Sequence, residues 1–135
     1  MNIQEEYNKL MSEVLYQGKK KSDRTGTGTL SVFGRTIRHD MSEGFPLLTT
    51  KKVWFNAALT EILWILQGRT DITYLQDHKV HYWDADYKRS GRTDNTLGPV
   101  YGKQWRDFGG VDQLKNLLAD IKSNPDSRRL IVSAW

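Results

Sequence analysis

Apolar residues recur at helical spacing near the start of the chain, at Ile3, Tyr7, Leu10, Met11, Val14 and Leu15. That period predicts an amphipathic helix whose apolar face joins the core and which stops at Gly18. Lys19, Lys20 and Lys21 follow and read as a solvated charge run. Over 29–38 the pattern changes to β-branched and aromatic residues, with Leu30, Val32, Phe33 and Ile37. A strand is predicted there, interrupted at Gly34 by a bulge or a close backbone approach. Ser42, Glu43 and Gly44 make a turn. Phe45-Pro46-Leu47-Leu48 is then a short extended piece, since a proline keeps the residue before it out of the helical region.

The second half of the chain is denser in apolar residues. From 53 to 67 they surround the helix on nearly every side: Trp54, Phe55, Ala57, Ala58, Leu59, Ile62, Leu63, Trp64, Ile65 and Leu66. Such a helix is expected to be buried, with Gly68 ending it. A shorter helix is predicted over 70–79, with Thr70 as its N-cap and Ile72 and Leu75 on its apolar side. The stretch 88–96 is polar and charged and reads as a mobile insertion loop. Gly98-Pro99-Val100-Tyr101-Gly102 forces a tight turn. Val111, Leu114, Leu117, Leu118 and Ile121 define a last amphipathic helix, ended by Ser123-Asn124-Pro125-Asp126. Leu130-Ile131-Val132 has the pattern of a buried strand.

Composition narrows the picture. A chain of 135 residues with 38% hydrophobic and 27% charged residues suits one globular domain. No apolar run is long enough to span a bilayer. The polar, acidic start Met1-Asn2-Ile3-Gln4-Glu5-Glu6 is unlike a signal or transit peptide, so the cytoplasm is the expected location and no membrane partner is expected. There is no cysteine, which excludes disulfides, thiolate metal sites and thiol catalysis within these residues. A net charge of +4 suits an anionic ligand. Repeats and low-complexity tracts are absent.

Three places carry candidate chemistry. Asp23-Arg24-Thr25-Gly26-Thr27-Gly28-Thr29 sets one guanidinium among hydroxyls and glycines. Phosphate is bound by such a planar fork and by unhindered backbone amides, whereas a strand-entry turn with solvated hydroxyls has the same spacing. It is not a Walker loop, because no Gly-Lys-Ser/Thr follows. Glu61 is the one charge in the apolar helix, with Ala57, Ala58, Trp64 and Ile65 as its helical neighbours. An isolated carboxylate there is costly and should have a raised pKa unless something pairs with it. It is either structurally paired or a proton-handling group. Arg128 and Arg129 precede the last predicted strand; adjacent side chains of an extended segment diverge, so both meet one ligand only if the backbone bends. His78 and His81 lack a third ligand pattern and read as surface or packing residues.

The wording of several blocks goes further than their spacing. The Arg24 loop, Gly44-Phe45-Pro46-Leu47-Leu48-Thr49-Thr50-Lys51-Lys52, Glu61-Ile62-Leu63-Trp64, Leu97-Gly98-Pro99-Val100-Tyr101-Gly102-Lys103-Gln104-Trp105-Arg106 and Asp126-Ser127-Arg128-Arg129-Leu130-Ile131-Val132-Ser133-Ala134-Trp135 together resemble the N-terminal half of thymidylate synthase. The resemblance runs in order from about Tyr7 to the last residue. It implies an α+β fold, a thymidylate synthase-like mixed sheet flanked by helices and incomplete in this chain, with 1–135 the N-terminal part of a single domain.

The implied reaction is reductive methylation of dUMP to dTMP. A cysteine thiolate adds to C6 of uracil, C5 attacks the methylene group of the co-substrate 5,10-methylenetetrahydrofolate, and loss of the C5 proton with hydride transfer gives dTMP and dihydrofolate. Carried onto matching positions, Glu61 and Tyr101 handle protons, Arg24, Arg128 and Arg129 hold the phosphate, and Trp83 and Lys51 meet the folate. The family is a homodimer in which Arg128 and Arg129 reach across to the partner's site; no DNA is involved. Three departures stand out. The family's nucleophilic cysteine is missing, Ala85-Asp86-Tyr87 stands where many relatives carry Glu-Trp, and Trp54 stands where histidine is frequent. The 135 residues alone are therefore expected to be inactive, and to aggregate or remain partly unfolded. A pyrimidine-nucleotide hydroxymethylase of the same fold is the nearest alternative. A non-catalytic basic nucleotide- or RNA-binding module is the other, and no recognition motif supports it.

Overall fold

The computed structural model describes residues 2–24 and 26–134. The chain falls into two compact units, Met1–Val53 and Trp54–Trp135.

The first unit is built on α1, Ile3–Gln17. Asn2 opens it with a capping box: its Oδ1 accepts from the Glu5 amide at 3.0 Å, and the Glu5 carboxylate accepts from the Asn2 amide at 3.2 Å. Gly18 closes it, as the pattern predicts. The lysine run is β1, Lys19–Lys21, exposed along its length and paired antiparallel with β2, Thr29–Ser31. Of the strand predicted over 29–38, only these first three residues form a ladder, and Gly34 turns out of it with φ +53°. Side chains tie the remainder back to α1. Arg35 grips Glu13 through Nε at 2.9 and 3.0 Å and holds that carboxyl below the usual carboxylate range. Gln4 accepts from the Thr49 amide at 2.8 Å. The apolar face of α1 is not core: none of its residues is fully buried, and Met11 and Leu15 are more than half exposed. A short 3-10 helix, Met41–Glu43, forms the turn before Gly44.

The second unit holds the core: Ala57, Trp64, Ile65, Ile72, Leu75 and Val80. Its first helix, α2, spans Phe55–Leu66. It is buried on one side only, which corrects the expectation from its composition. Ala57, Trp64 and Ile65 face the core, whereas Leu59, Ile62, Leu63 and Leu66 form an exposed stripe at the i, i+3, i+4, i+7 spacing. α3, Ile72–Asp77, is capped by Asp71 and not by Thr70. Asp71 wins because a carboxylate can do two things at once: it accepts from the Tyr74 amide at 3.1 Å and takes a bidentate bond from Arg69 at 2.8 and 2.9 Å. The indole of Trp64 donates to the Asp71 carbonyl at 2.8 Å, joining the buried side of α2 to the start of α3.

The stretch read as a mobile loop begins as helix α4, Asp84–Ser90, and Gly91 ends it in the left-handed region at φ 68°. Beyond the Gly98 turn the chain enters α5, Tyr101–Arg106. Gly102 is where α5 meets the end of α2: a Cβ there would lie 2.4 Å from the Arg69 carbonyl oxygen. Arg106 donates to the Leu66 carbonyl at 3.1 Å and so caps α2. α6, Gln113–Ser123, is capped by Asp112. Leu130–Val132 is not in a strand among the described residues, and Ile131 is 70% exposed. Among the described residues no strand pairs with this segment; next to it, the Gln113 side-chain amide donates to the Ser133 carbonyl at 2.8 Å and accepts from the Ser133 amide at 2.9 Å.

Candidate active site

Within the second unit three elements meet around the ring of Trp83, which bonds one carboxylate. Glu61 lies on the flank of α2, between its buried and exposed sides, and is half-buried. It is therefore not the isolated buried charge expected from its neighbours. The indole Nε1 of Trp83 donates to its Oε1 at 2.5 Å. Trp83 comes from the turn that opens α4, where its carbonyl accepts from the Tyr87 amide at 2.9 Å. Its ring packs against buried Trp64, with centroids 6.0 Å apart and planes at 44°. On another side it meets the ring of Tyr101 edge-on at 6.2 Å and 72°. Tyr101, the first residue of α5, is 45% exposed. Glu61, Trp83 and Tyr101, singled out from sequence, are thus brought together. A carboxylate and a phenol beside an aromatic wall can hold and relay protons next to a flat heterocycle.

Tyr82 belongs to the same cluster, and sequence reading missed it. Its hydroxyl donates to the Ala57 carbonyl at 3.3 Å. Partial burial first, then a hydrogen bond to Glu61 and the charge of that carboxylate, push Tyr82 up to about 12. The only sequence signal was its place beside Trp83, and a helical-period argument does not link it to Glu61.

The cationic candidates belong to other segments of the chain. Arg24 is exposed in the turn after β1. Thr25 and Trp135, both in quoted motifs, lie outside the described residues. Around the loop Asp23 is the organiser, since its carboxylate accepts from the Gly28 amide and its carbonyl from the Gly26 amide, each at 3.3 Å. Gly26 and Gly28 both sit at φ +78°, the left-handed region that a residue with a side chain rarely adopts. A cavity of about 430 Å³ is lined here by Lys20, Lys21, Ser22, Asp23, Gly26, Thr27 and Gly28. Such a polar hollow with two lysines suits an anion. Lys51 is exposed in the same unit. Arg128 and Arg129, both exposed, stand in a turn and not in an extended segment, so the backbone bends where two guanidinium groups would have to converge. His78 bonds the Tyr74 carbonyl through Nδ1 at 2.7 Å, and His81 bonds Asp84 through Nδ1 at 3.0 Å.

Comparison with known proteins agrees with the wording of the motifs. Residues 5–135 match the sequence model of the family described as thymidylate synthase. A protein named thymidylate synthase from Mesoplasma florum is 46% identical over an alignment that covers 96% of this chain and 54% of the relative. The chain thus spans about half the length of that curated relative. Among the described residues no helix is long and apolar enough to cross a membrane.

Proposed function

The chain belongs to the thymidylate synthase family, and on that premise we propose that it forms the N-terminal part of a single-domain cytoplasmic enzyme that converts dUMP to dTMP. The observation that carries the reading is the hydrogen bond from Trp83 to Glu61, with Tyr101 packed edge-on against the same indole. In this reading Glu61 organises water and protons about the pyrimidine ring, and the Tyr101 hydroxyl joins that network. Trp83 has both its edge and its face in use: the indole N–H fixes the carboxylate, and the half-buried ring offers a flat wall. That donor set fits a pterin. When bound, 5,10-methylenetetrahydrofolate supplies the one-carbon unit and the hydride. Lys51 supplies a cation for the anionic end of that co-substrate. Arg24 holds the nucleotide phosphate of its own subunit, while Arg128 and Arg129 hold the phosphate in the partner subunit of a homodimer. The exposure of all three arginines supports this role.

The nucleophile must come from outside these residues, which contain no cysteine. A thiolate adds to C6 of the pyrimidine and so makes C5 nucleophilic, and no other residue here replaces it. The test is dTMP formation from dUMP and 5,10-methylenetetrahydrofolate. The 135 residues alone are expected to give none, and joining them to the cysteine-bearing remainder of a thymidylate synthase is expected to restore it. Turnover by the chain alone, or a joined enzyme that hydroxymethylates dCMP and leaves dUMP untouched, would overturn the proposal.

A further inference from the structure

We propose that Asp84 is a positioning residue for Trp83: its carboxylate, gripped by Gln76 and His81, fixes the turn that carries the indole and so sets where the indole N–H meets Glu61. The inference rests on the reading of Trp83 and Glu61 as parts of the reaction site.

Trp83 occupies the N-cap position of α4 and makes no side-chain cap bond there. An indole has a donor and no acceptor, so it cannot serve the first amides of a helix. The start of α4 is held instead from α3, by two consecutive residues. The Leu75 carbonyl accepts from the Val80 amide at 2.8 Å, and Val80 is fully buried. Gln76 donates from its side-chain amide to Asp84 Oδ1 at 3.0 Å, in partly buried surroundings where such a bond is weakly screened. Between these anchors the chain makes a four-residue turn from His81 to Asp84, with Tyr82 and Trp83 at its centre.

The turn is closed twice. The Asp84 amide donates to the His81 carbonyl at 3.1 Å, and His81 donates through Nδ1 to Asp84 Oδ2 at 3.0 Å. A carboxylate accepts and does not donate, so His81 carries a proton on Nδ1, as both its charged form and one neutral tautomer allow. Both oxygens of Asp84 are thus engaged, one closing the turn and the other tying it to α3. The effect reaches Glu61 through the neighbouring side chain. Trp83 donates to Glu61 at 2.5 Å and meets Tyr101 edge-on at 6.2 Å. An indole holds its N–H far from the backbone, so a small rotation of the turn carries it out of hydrogen-bond range.

The test exchanges donor and acceptor across the Gln76–Asp84 bond. In the joined enzyme, Gln76→Glu sets two carboxylates face to face. It is expected to lower kcat/KM for 5,10-methylenetetrahydrofolate about 10-fold, the worth of one hydrogen bond to a charged group, with the Kd of dUMP unchanged. Adding Asp84→Asn is expected to bring kcat/KM back to within about 2-fold, because the new asparagine donates to the new glutamate and still accepts from His81. A second readout does not depend on turnover. In enzyme labelled with ¹⁵N-tryptophan, the indole resonance of Trp83 is identified by its loss in Trp83→Phe. It should move in Gln76→Glu and return in the double variant. Gln76→Leu removes the donor without adding repulsion and should move it the same way. A resonance that stays in place in both single variants, or a double variant as impaired as Gln76→Glu, would overturn the inference. If Trp83→Phe leaves kcat/KM for the folate unchanged, the reading of Trp83 falls instead, and the resonance still decides whether Asp84 positions it.

Discussion

The exposed stripe on α2 yields a prediction with a magnitude. Leu59, Ile62, Leu63 and Leu66 are 44%, 40%, 42% and 37% exposed. Burying such a side chain fully is worth about 2 kcal/mol. Each therefore leaves about 0.8 kcal/mol uncollected, and the four together about 3 kcal/mol, concentrated on one face. That is a sizeable fraction of the roughly 5–15 kcal/mol by which domains are stable. The 135-residue chain is expected to bind an apolar dye and to self-associate, both measured against concentration by dye fluorescence and light scattering. Replacing all four residues with glutamine should abolish both. It should cost little helix content, since glutamine is a good helix former and the core side of α2 is untouched. The reasoning is refuted if the unsubstituted chain is monomeric and dye-silent. It is refuted equally if the fourfold variant loses its helical circular dichroism, because the stripe would then be holding the fold.

The fourfold variant also provides a monomeric host for two stability measurements. Gly102→Ala forces a Cβ to within 2.4 Å of the Arg69 carbonyl oxygen, and is expected to cost about 2–3 kcal/mol in urea unfolding; a change below about 0.5 kcal/mol would mean that the α2–α5 contact yields freely. Asp71→Ala removes the α3 cap and the Arg69 pair, at a cost of about 1–2 kcal/mol near neutral pH. Arg69 first, and then the Tyr74 amide, hold the Asp71 carboxyl below its ordinary range. Its contribution is therefore complete above about pH 4 and is lost as pH falls through the lower folded value. The gap between host and Asp71→Ala should narrow between pH 5 and pH 2, and a constant gap would show that the carboxylate charge plays no part.

What could be read from sequence was local. The stop of α1 at Gly18 and the presence of α6 follow from caps and spacing, which act within a few residues. Thr70 and Asp71 are both cap-forming types, and only the position of Arg69 selects the second. The α5 helix was hidden because Gly98, Pro99 and Gly102 read as turn residues; Gly102 is there for close packing and not for a bend. The apolar content of α2 predicted a buried helix correctly for one side. Whether the other side is covered depends on what lies against it, which no periodicity encodes. The Glu61, Trp83 and Tyr101 cluster was legible as family wording. The bond joining the first two spans 22 positions and was not.

The Gln113 contact with Ser133 has a geometric consequence. A side-chain amide that both donates to and accepts from one residue's backbone imitates the adjoining member of a β-ladder. In an extended chain, the N–H and C=O of one residue point to the same edge, and those of the next residue to the opposite edge. Gln113 therefore plugs the Ser133 edge, and among the described residues no backbone hydrogen bond is made on the edge that Val132 and Ala134 would serve. Any β-strand that adds to this segment must approach from that side, with its register and its inward-facing residues chosen in advance by a single glutamine on a neighbouring helix.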